Sequence, residues 1–149
     1  MNAVRRLTLR TAAALVAGLL LPIRALAAGW NKDAFLSKTA ADALQSLGAA
    51  SSAESKDIVI EAPQIAENGA VVPIEVTSNL PNTKSIAVLV EKNPFPLVGR
   101  FEFSEGAMPY VKVNVKIGES SFVRVVAEAG GRHYTATREI KVTIGGCGG

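Results

Sequence analysis

Tyr110-Val111-Lys112-Val113-Asn114-Val115-Lys116-Ile117 sets an aliphatic side chain at every second position from Val111. In an extended chain Val111, Val113, Val115 and Ile117 share one face, and Lys112, Asn114 and Lys116 share the other, because strand side chains alternate with a period of two. A helix would scatter both sets around its axis. The apolar set is entirely β-branched, which suits a pleated, half-buried surface. This segment reads as a strand with one face in a core and one in water.

Working outward, the same period recurs from Asp57 onward. The spacing predicts strands at Ile58–Ala62, Ala70–Thr77, Ser85–Glu91, Leu97–Phe103, Tyr110–Ile117, Ser121–Ala129 and Arg132–Ile144. Turn-forming residues separate them, among them Glu67-Asn68-Gly69, Asn79-Leu80-Pro81-Asn82, Asn93-Pro94-Phe95-Pro96 and Gly130-Gly131. About seven short strands at this spacing argue for an all-β sandwich. Pro73 has no amide donor, so its strand is expected at a sheet edge or at a bulge. Ser85–Glu91 is apolar on both faces, which places it centrally or beneath a partner. In the last strand Tyr134, Ala136, Ile140, Val142 and Ile144 point one way, with Arg138 the exception on that face.

Upstream, Phe35, Leu36, Thr39, Ala40, Ala43, Leu44 and Leu47 recur at three and four, predicting a helix from about Lys32 to Leu47 capped by Asn31. Ala49 to Lys56 is small and polar and reads as a linker. Residues 1–27 carry four arginines, Arg5, Arg6, Arg10 and Arg24, and no acid. An apolar run, Thr11 to Leu21, ends near Ala25-Leu26-Ala27, a small-x-small cleavage pattern. This is the pattern of an export signal. The Arg5-Arg6 pair suggests the twin-arginine route, and the alternative is an ordinary secretory signal with two positive charges. Either way a mature protein beginning near Ala28 is expected outside the cytoplasm, in the periplasm, with no membrane anchor.

Loss of the signal changes the charge balance. The full chain has 16 basic and 13 acidic residues, and without the four arginines 12 basic face 13 acidic. The mature chain is near neutral, which gives no support for nucleic-acid binding. Lys112, Lys116, Arg124, Arg132, Arg138 and Lys141 alternate with acids and read as solvated strand faces, the other reading being steering of an anionic partner. Asn93-Pro94-Phe95-Pro96 reads either as a docking loop that displays Phe95 or as a turn whose Phe95 plugs the core.

After the last strand comes Gly145-Gly146-Cys147-Gly148-Gly149. Glycine visits both halves of φ space, so the run reads as a flexible tether. Five extended residues span roughly 16–18 Å. A single cysteine makes no internal disulfide, so it pairs between molecules or is kept as a reactive thiol. Cys147 and the lone His133 are too few for a zinc site, and no metal or cofactor is expected. A thiol–disulfide enzyme would want a second cysteine. Nor is there a nucleophile–base pair, since His133 lies on a polar strand face, so no catalytic residue is assigned. The thiol lacks a neighbouring cation in sequence to lower its pKa, and activation would come from a pocket that receives it. That is a carrier's logic.

The C-terminal string Val142-Thr143-Ile144-Gly145-Gly146-Cys147-Gly148-Gly149 resembles the carrier arm of the SoxY family, the sulfur-carrying subunits of bacterial thiosulfate oxidation. The resemblance extends through Ala66-Glu67-Asn68-Gly69-Ala70-Val71-Val72-Pro73, Glu91-Lys92-Asn93-Pro94 and Ser121-Phe122-Val123-Arg124. It implies an immunoglobulin-like β-sandwich at 57–144, preceded by a helix and linker at 28–56 and followed by a swinging arm at 145–149. It also implies a heterodimer with SoxZ. Cys147 would hold sulfur intermediates covalently, with Gly145, Gly146, Gly148 and Gly149 as the arm. SoxAX would join thiosulfate to the thiol, SoxB would release sulfate, and SoxCD would oxidise the remaining sulfur. The competing reading is an exported immunoglobulin-like binding module whose cysteine forms an intermolecular disulfide.

Overall fold

The computed structural model describes residues 30–143. Two helices, α1 (Lys32–Leu36) and α2 (Ala40–Ser46), precede nine strands. These are β1 (Ala53–Glu54), β2 (Ile58–Glu61), β3 (Ile65–Ala66), β4 (Val72–Ser78), β5 (Thr83–Val90), β6 (Leu97–Glu102), β7 (Tyr110–Val115), β8 (Ser121–Ala129) and β9 (Arg132–Val142). The large sheet runs β1-β9-β8-β5-β6 with β3 also paired to β9, and the small sheet runs β2-β4-β7. Alternation builds the core between them. Val72, Ile74 and Val76 of the small sheet meet Ile86, Val88, Val90, Val123, Val125 and Ile140 of the large one, all fully buried. The expected all-β, immunoglobulin-like sandwich is the observed fold.

β5 is central, between β8 and β6, and both its faces are covered. Ile86, Val88 and Val90 face the small sheet. Ala87 and Leu89 pack with Val126 and Leu97 against Ala34, Ala43, Leu47 and Ala49. The cover on the outer face is therefore the chain's own helical segment. Removing Leu89 from water there contributes about 1.5–3 kcal/mol.

Four expectations need correction. The single helix is two, because Ser37 Oγ donates to the Asp33 carbonyl while Thr39 caps a new helix, its Oγ1 accepting from Asp42 N at 3.1 Å. A hydroxyl at the N-cap satisfies an amide that has no intrahelical partner; Leu36, placed on the buried face by the unbroken helix, is 51% exposed. Second, the linker contains β1, which pairs in parallel with Tyr134 and Thr135. Third, β4 is the middle strand of its sheet, not an edge. Pro73 is tolerated because β2 pairs only as far as Glu75, so beyond it one side of β4 needs no donor. Fourth, β3 was not expected; two residues between Pro63 and Asn68 carry no readable period.

Arg138 also finds its reason. Its Nη1 donates to the Ile60 carbonyl at 3.1 Å. β2 is an edge strand, so this bond joins the two sheets along their open seam.

Candidate functional site

Cys147, the glycines Gly145, Gly146, Gly148 and Gly149, and the arginines Arg5 and Arg6 lie outside the described residues. What the structure describes is the seat from which the cysteine segment departs. It lies at the end of β9, and three sequence segments far apart in the chain converge on it.

On one side β3 runs parallel to β9, with Ala66 opposite Val142. Thr143 N donates to the Ala66 carbonyl at 3.1 Å. On the other side the partner of Val142 is a side chain. Its N–H donates to Ser120 Oγ at 2.9 Å, and that hydroxyl reaches the Val142 carbonyl at 3.4 Å. The last backbone groups of β9 are thus held from both flanks.

The loops behind this clamp are tied to one another. Gly69 lies so close to its neighbours that a Cβ there would run into the Ile117 carbonyl oxygen and Val142 Cγ1. Ile117 N donates to the Gly69 carbonyl at 2.7 Å. Asn93 spans the next gap, its Nδ2 donating to the Lys116 carbonyl at 2.8 Å and its Oδ1 accepting from Gly118 N at 3.3 Å. Lys92 N donates to Ser121 Oγ at 3.1 Å. Arg124 meets Glu91 through Nε and Nη2, each 2.7 Å from Oε1, with both side chains about a quarter exposed. A charge-assisted contact of this kind, partly out of water, is among the stronger ones.

Asn93-Pro94-Phe95-Pro96 does not plug the core with its aromatic. Pro96 is the buried residue, and Phe95 is 45% exposed with the Lys38 ammonium 3.5 Å above its ring centroid. Three of the six basic residues read as solvated faces have partners: Lys112 with Glu75, Arg124 with Glu91 and Arg138 with the Ile60 carbonyl. Among the described residues no group of three His, Cys, Asp or Glu side chains is placed to hold a metal ion. His133 lies near the start of β9, beside Gly48 and Ser51.

A cleft of about 820 Å³ opens at the opposite end of the sandwich, lined by Thr83, Ser85, Arg100, Glu102, Glu105 and Glu128 among others. Ser85 and Glu128 are level with His133, nine residues back along β9, or about 30 Å at ~3.3 Å per residue. Cys147, four residues beyond Thr143, reaches only about 13 Å from it. The cleft is out of the thiol's range.

The segments that meet at the end of β9 are those that carried the resemblance: Ala66 to Pro73, Glu91 to Pro94 and Ser121 to Arg124. Comparison with known proteins agrees. The family model described as "Sulfur oxidation protein SoxY" matches residues 43–147. The chain belongs to the SoxY family. It is similar to the solved sulfur carrier protein SoxY from Chlorobium limicola f thiosulfatophilum, at 34% identity and a TM-score of 0.66, covering 76% of this chain and 99% of that one. A superoxide reductase (neelaredoxin) from Ignicoccus hospitalis shares the fold at 24% identity and a TM-score of 0.52, over 58% of this chain and 80% of its own. A putative superoxide reductase from Thermotoga maritima gives 25% identity and 0.51, over 58% and 85%. Among curated proteins no relative matches. Family membership makes this a protein of sulfur oxidation with a carrier role.

Sequence reading missed Gly69, Asn93, Ser120 and Ser121 as parts of the seat. Gly69 and Asn93 were read as turn residues and Ser121 as the start of a strand, but the partners of Asn93, Ser120 and Ser121 lie 22 to 29 residues away, and no local pattern encodes such pairings.

Proposed function

We propose that this protein is a periplasmic sulfur carrier of thiosulfate oxidation, loaded covalently on Cys147 and presented by the arm at 145–149. The observation that carries the reading is the clamp on β9. A cysteine five residues beyond a strand end that is held on both flanks has a defined reach.

Loading joins the Cys147 thiolate to the outer sulfur of thiosulfate. One S–S bond forms, giving Cys–S–S–SO₃⁻, and two electrons leave to a haem partner of the SoxAX type. Hydrolysis by a SoxB-type enzyme then adds water across the terminal S–S bond, releasing sulfate and two protons and leaving a persulfide on the cysteine. A SoxCD-type enzyme would oxidise that sulfur further. Each step needs the thiol inside another protein's site, and glycine neighbours let it enter with nothing bulkier than backbone. The carrier itself supplies attachment and position, not catalysis. A SoxZ-type subunit is the expected companion, and the Arg5-Arg6 signal, cut near Ala27, the route outward.

Intact mass spectrometry tests this on the protein purified from the periplasm. A chain beginning near Ala28 that gains a thiosulfate-derived, reductant-sensitive mass with the haem partner, absent from Cys147→Ser, is the expected result. An unmodified thiol, or cysteine found only as a dimer disulfide with function intact in Cys147→Ser, points instead to a binding module.

A further inference from the structure

We infer that Asn68 is a modification site: its side chain deamidates through the Gly69 amide, and the isoaspartyl linkage that results loosens the grip on the root of the arm. The inference is independent of what Cys147 carries and names what limits the life of the seat.

Asparagine is among the thermolabile residues, and its fate is set by the residue that follows, whose main-chain nitrogen is the nucleophile. Of the asparagines in the chain only Asn68 is followed by glycine, where no side chain shields that nitrogen. Asn79, Asn82 and Asn114 precede Leu80, Thr83 and Val115, and Asn93 precedes Pro94, which has no N–H. Asn68 is exposed. Its Oδ1 accepts from Ala70 N at 2.9 Å, an Asx turn that holds the side-chain carbonyl beside the Gly69 peptide and polarises it towards attack. Among the described residues neither the Gly69 amide nor Asn68 Nδ2 makes a hydrogen bond. Nucleophile and leaving group are both free.

The Gly69 nitrogen bonds to Asn68 Cγ, the Cγ–Nδ2 bond breaks, and ammonia leaves with the proton from Gly69. Water then opens the succinimide at either carbonyl. Opening at one gives aspartate in an ordinary chain; opening at the other routes the main chain through Cγ and lengthens it by a methylene. Position 68 lies between two holds at the arm's root. Two residues before it the Ala66 carbonyl accepts from Thr143 N at 3.1 Å, and one residue after it the Gly69 carbonyl accepts from Ile117 N at 2.7 Å. Gly69 has no slack, since even a Cβ would meet the Ile117 carbonyl oxygen and Val142 Cγ1. An added main-chain atom displaces one hold or the other. The aspartate product keeps both the Asx acceptor and the spacing.

The test uses the full mature chain, kept folded at pH 8 and, in parallel, at pH 6, with a urea-unfolded sample beside it. Peptide mapping by mass spectrometry follows the exchange of NH for O at each asparagine, and isoaspartyl methyltransferase marks the lengthened linkage. The expected result is conversion of the folded chain at Asn68 ahead of Asn79, Asn82 and Asn114. It should run faster at pH 8, because the attacking nitrogen must give up its proton, and be absent at position 68 from Asn68→Ser, which keeps a turn-forming acceptor. In the isoaspartyl fraction the Val142 and Thr143 amides exchange about 5-fold faster, the scale of one lost hydrogen bond, while the Gly130 amide is unchanged. Freshly made Asn68→Asp, with the charge and without the methylene, matches wild type. Conversion at Asn68 only in urea, or no faster than at the other three asparagines, overturns the site. An isoaspartyl fraction with wild-type exchange at Val142 and Thr143, or Asn68→Asp as loose as that fraction, overturns its link to the arm's root.

Discussion

At the end where β9 gives out, the loops around Gly69, Asn93 and Ser120 are bonded to one another across long stretches of sequence. At the opposite end the side-chain bonds in the turn between β4 and β5 are local, Ser78 with Thr83 and Thr83 with the Leu80 carbonyl, and Asn82, Gly106, Gly130 and Gly131 all take positive φ. Gly130-Gly131 joins β8 to β9 as a two-residue hairpin, a turn that requires φ > 0 at its centre. The first end is a brace and the second a set of bends. A bend only has to reverse the chain, whereas a brace fixes where the next residue starts. The end that launches Cys147 is the braced one.

The sharpest way to break this contrast is to put a methyl group into each end. Gly69→Ala drives a Cβ into the Ile117 carbonyl and Val142; overpacking against backbone costs about 2–3 kcal/mol. Gly130→Ala meets open space and strains only φ, at a cost of about 1 kcal/mol. Urea unfolding curves with equal slopes would read the difference directly. If Gly130→Ala proved as costly as Gly69→Ala, the close approach at the arm's root would not be a constraint.

Removing single braces gives smaller effects. Asn93→Ala leaves the Lys116 carbonyl and Gly118 amide without their partner and should cost about 1–2 kcal/mol. Ser120→Ala takes the only side-chain acceptor from Val142 N, at about 1 kcal/mol. Amide hydrogen exchange separates these from a general loosening. Protection should fall at Gly118 in the first variant and Val142 in the second, with the Gly130 amide unchanged in both. Uniform loss across both ends would mean that the braces act on global stability and not on the root of the arm.

The sandwich was legible because alternation is a local signal. Tyr110 to Ile117 announces its buried face without reference to anything else, and Val111 and Val115 are buried as that alternation requires. β5 was legible for the same reason, since apolar residues on both faces mean cover on both. The helix break was present in sequence as Thr39 three residues before Asp42, but continuous apolar spacing masked it. Pro73 misled because edge and interior were judged strand by strand, whereas β4 is interior near Glu75 and one-sided at Pro73. The seat was least legible. Its bonds from Asn93, Ser120 and Ser121 span 22 to 29 residues, and only the fold decides which loops meet. The resemblance marked the same segments without giving the reason they belong together.

The smallest expected effect provides a control that belongs to neither end. On the outer face of the small sheet, midway along β4, Glu75 accepts from Tyr110 Oη at 2.5 Å and from Lys112 Nζ at 2.7 Å. The Lys112 bond first, then the Tyr110 bond, hold the Glu75 carboxyl below its ordinary value of 4.5. The same bonds from Glu75 raise Lys112 and Tyr110 above theirs. A carboxylate with a depressed folded pKa stabilises the fold above its unfolded pKa and loses that contribution as pH falls through the folded one. The two raised groups behave oppositely, contributing below their ordinary values near 10 and losing this as pH rises past them. The group should therefore stabilise across neutral pH, fade below about 4.5, and weaken with salt because it is exposed. Wild type should lose a little more of its urea midpoint than Glu75→Gln between pH 6 and pH 3, while protection of the Gly118 and Val142 amides stays the same in both proteins at pH 6. A change at those amides in Glu75→Gln would show that the face of the small sheet is coupled to the arm's root, and the division between a braced end and a bent one would have to be redrawn to include it.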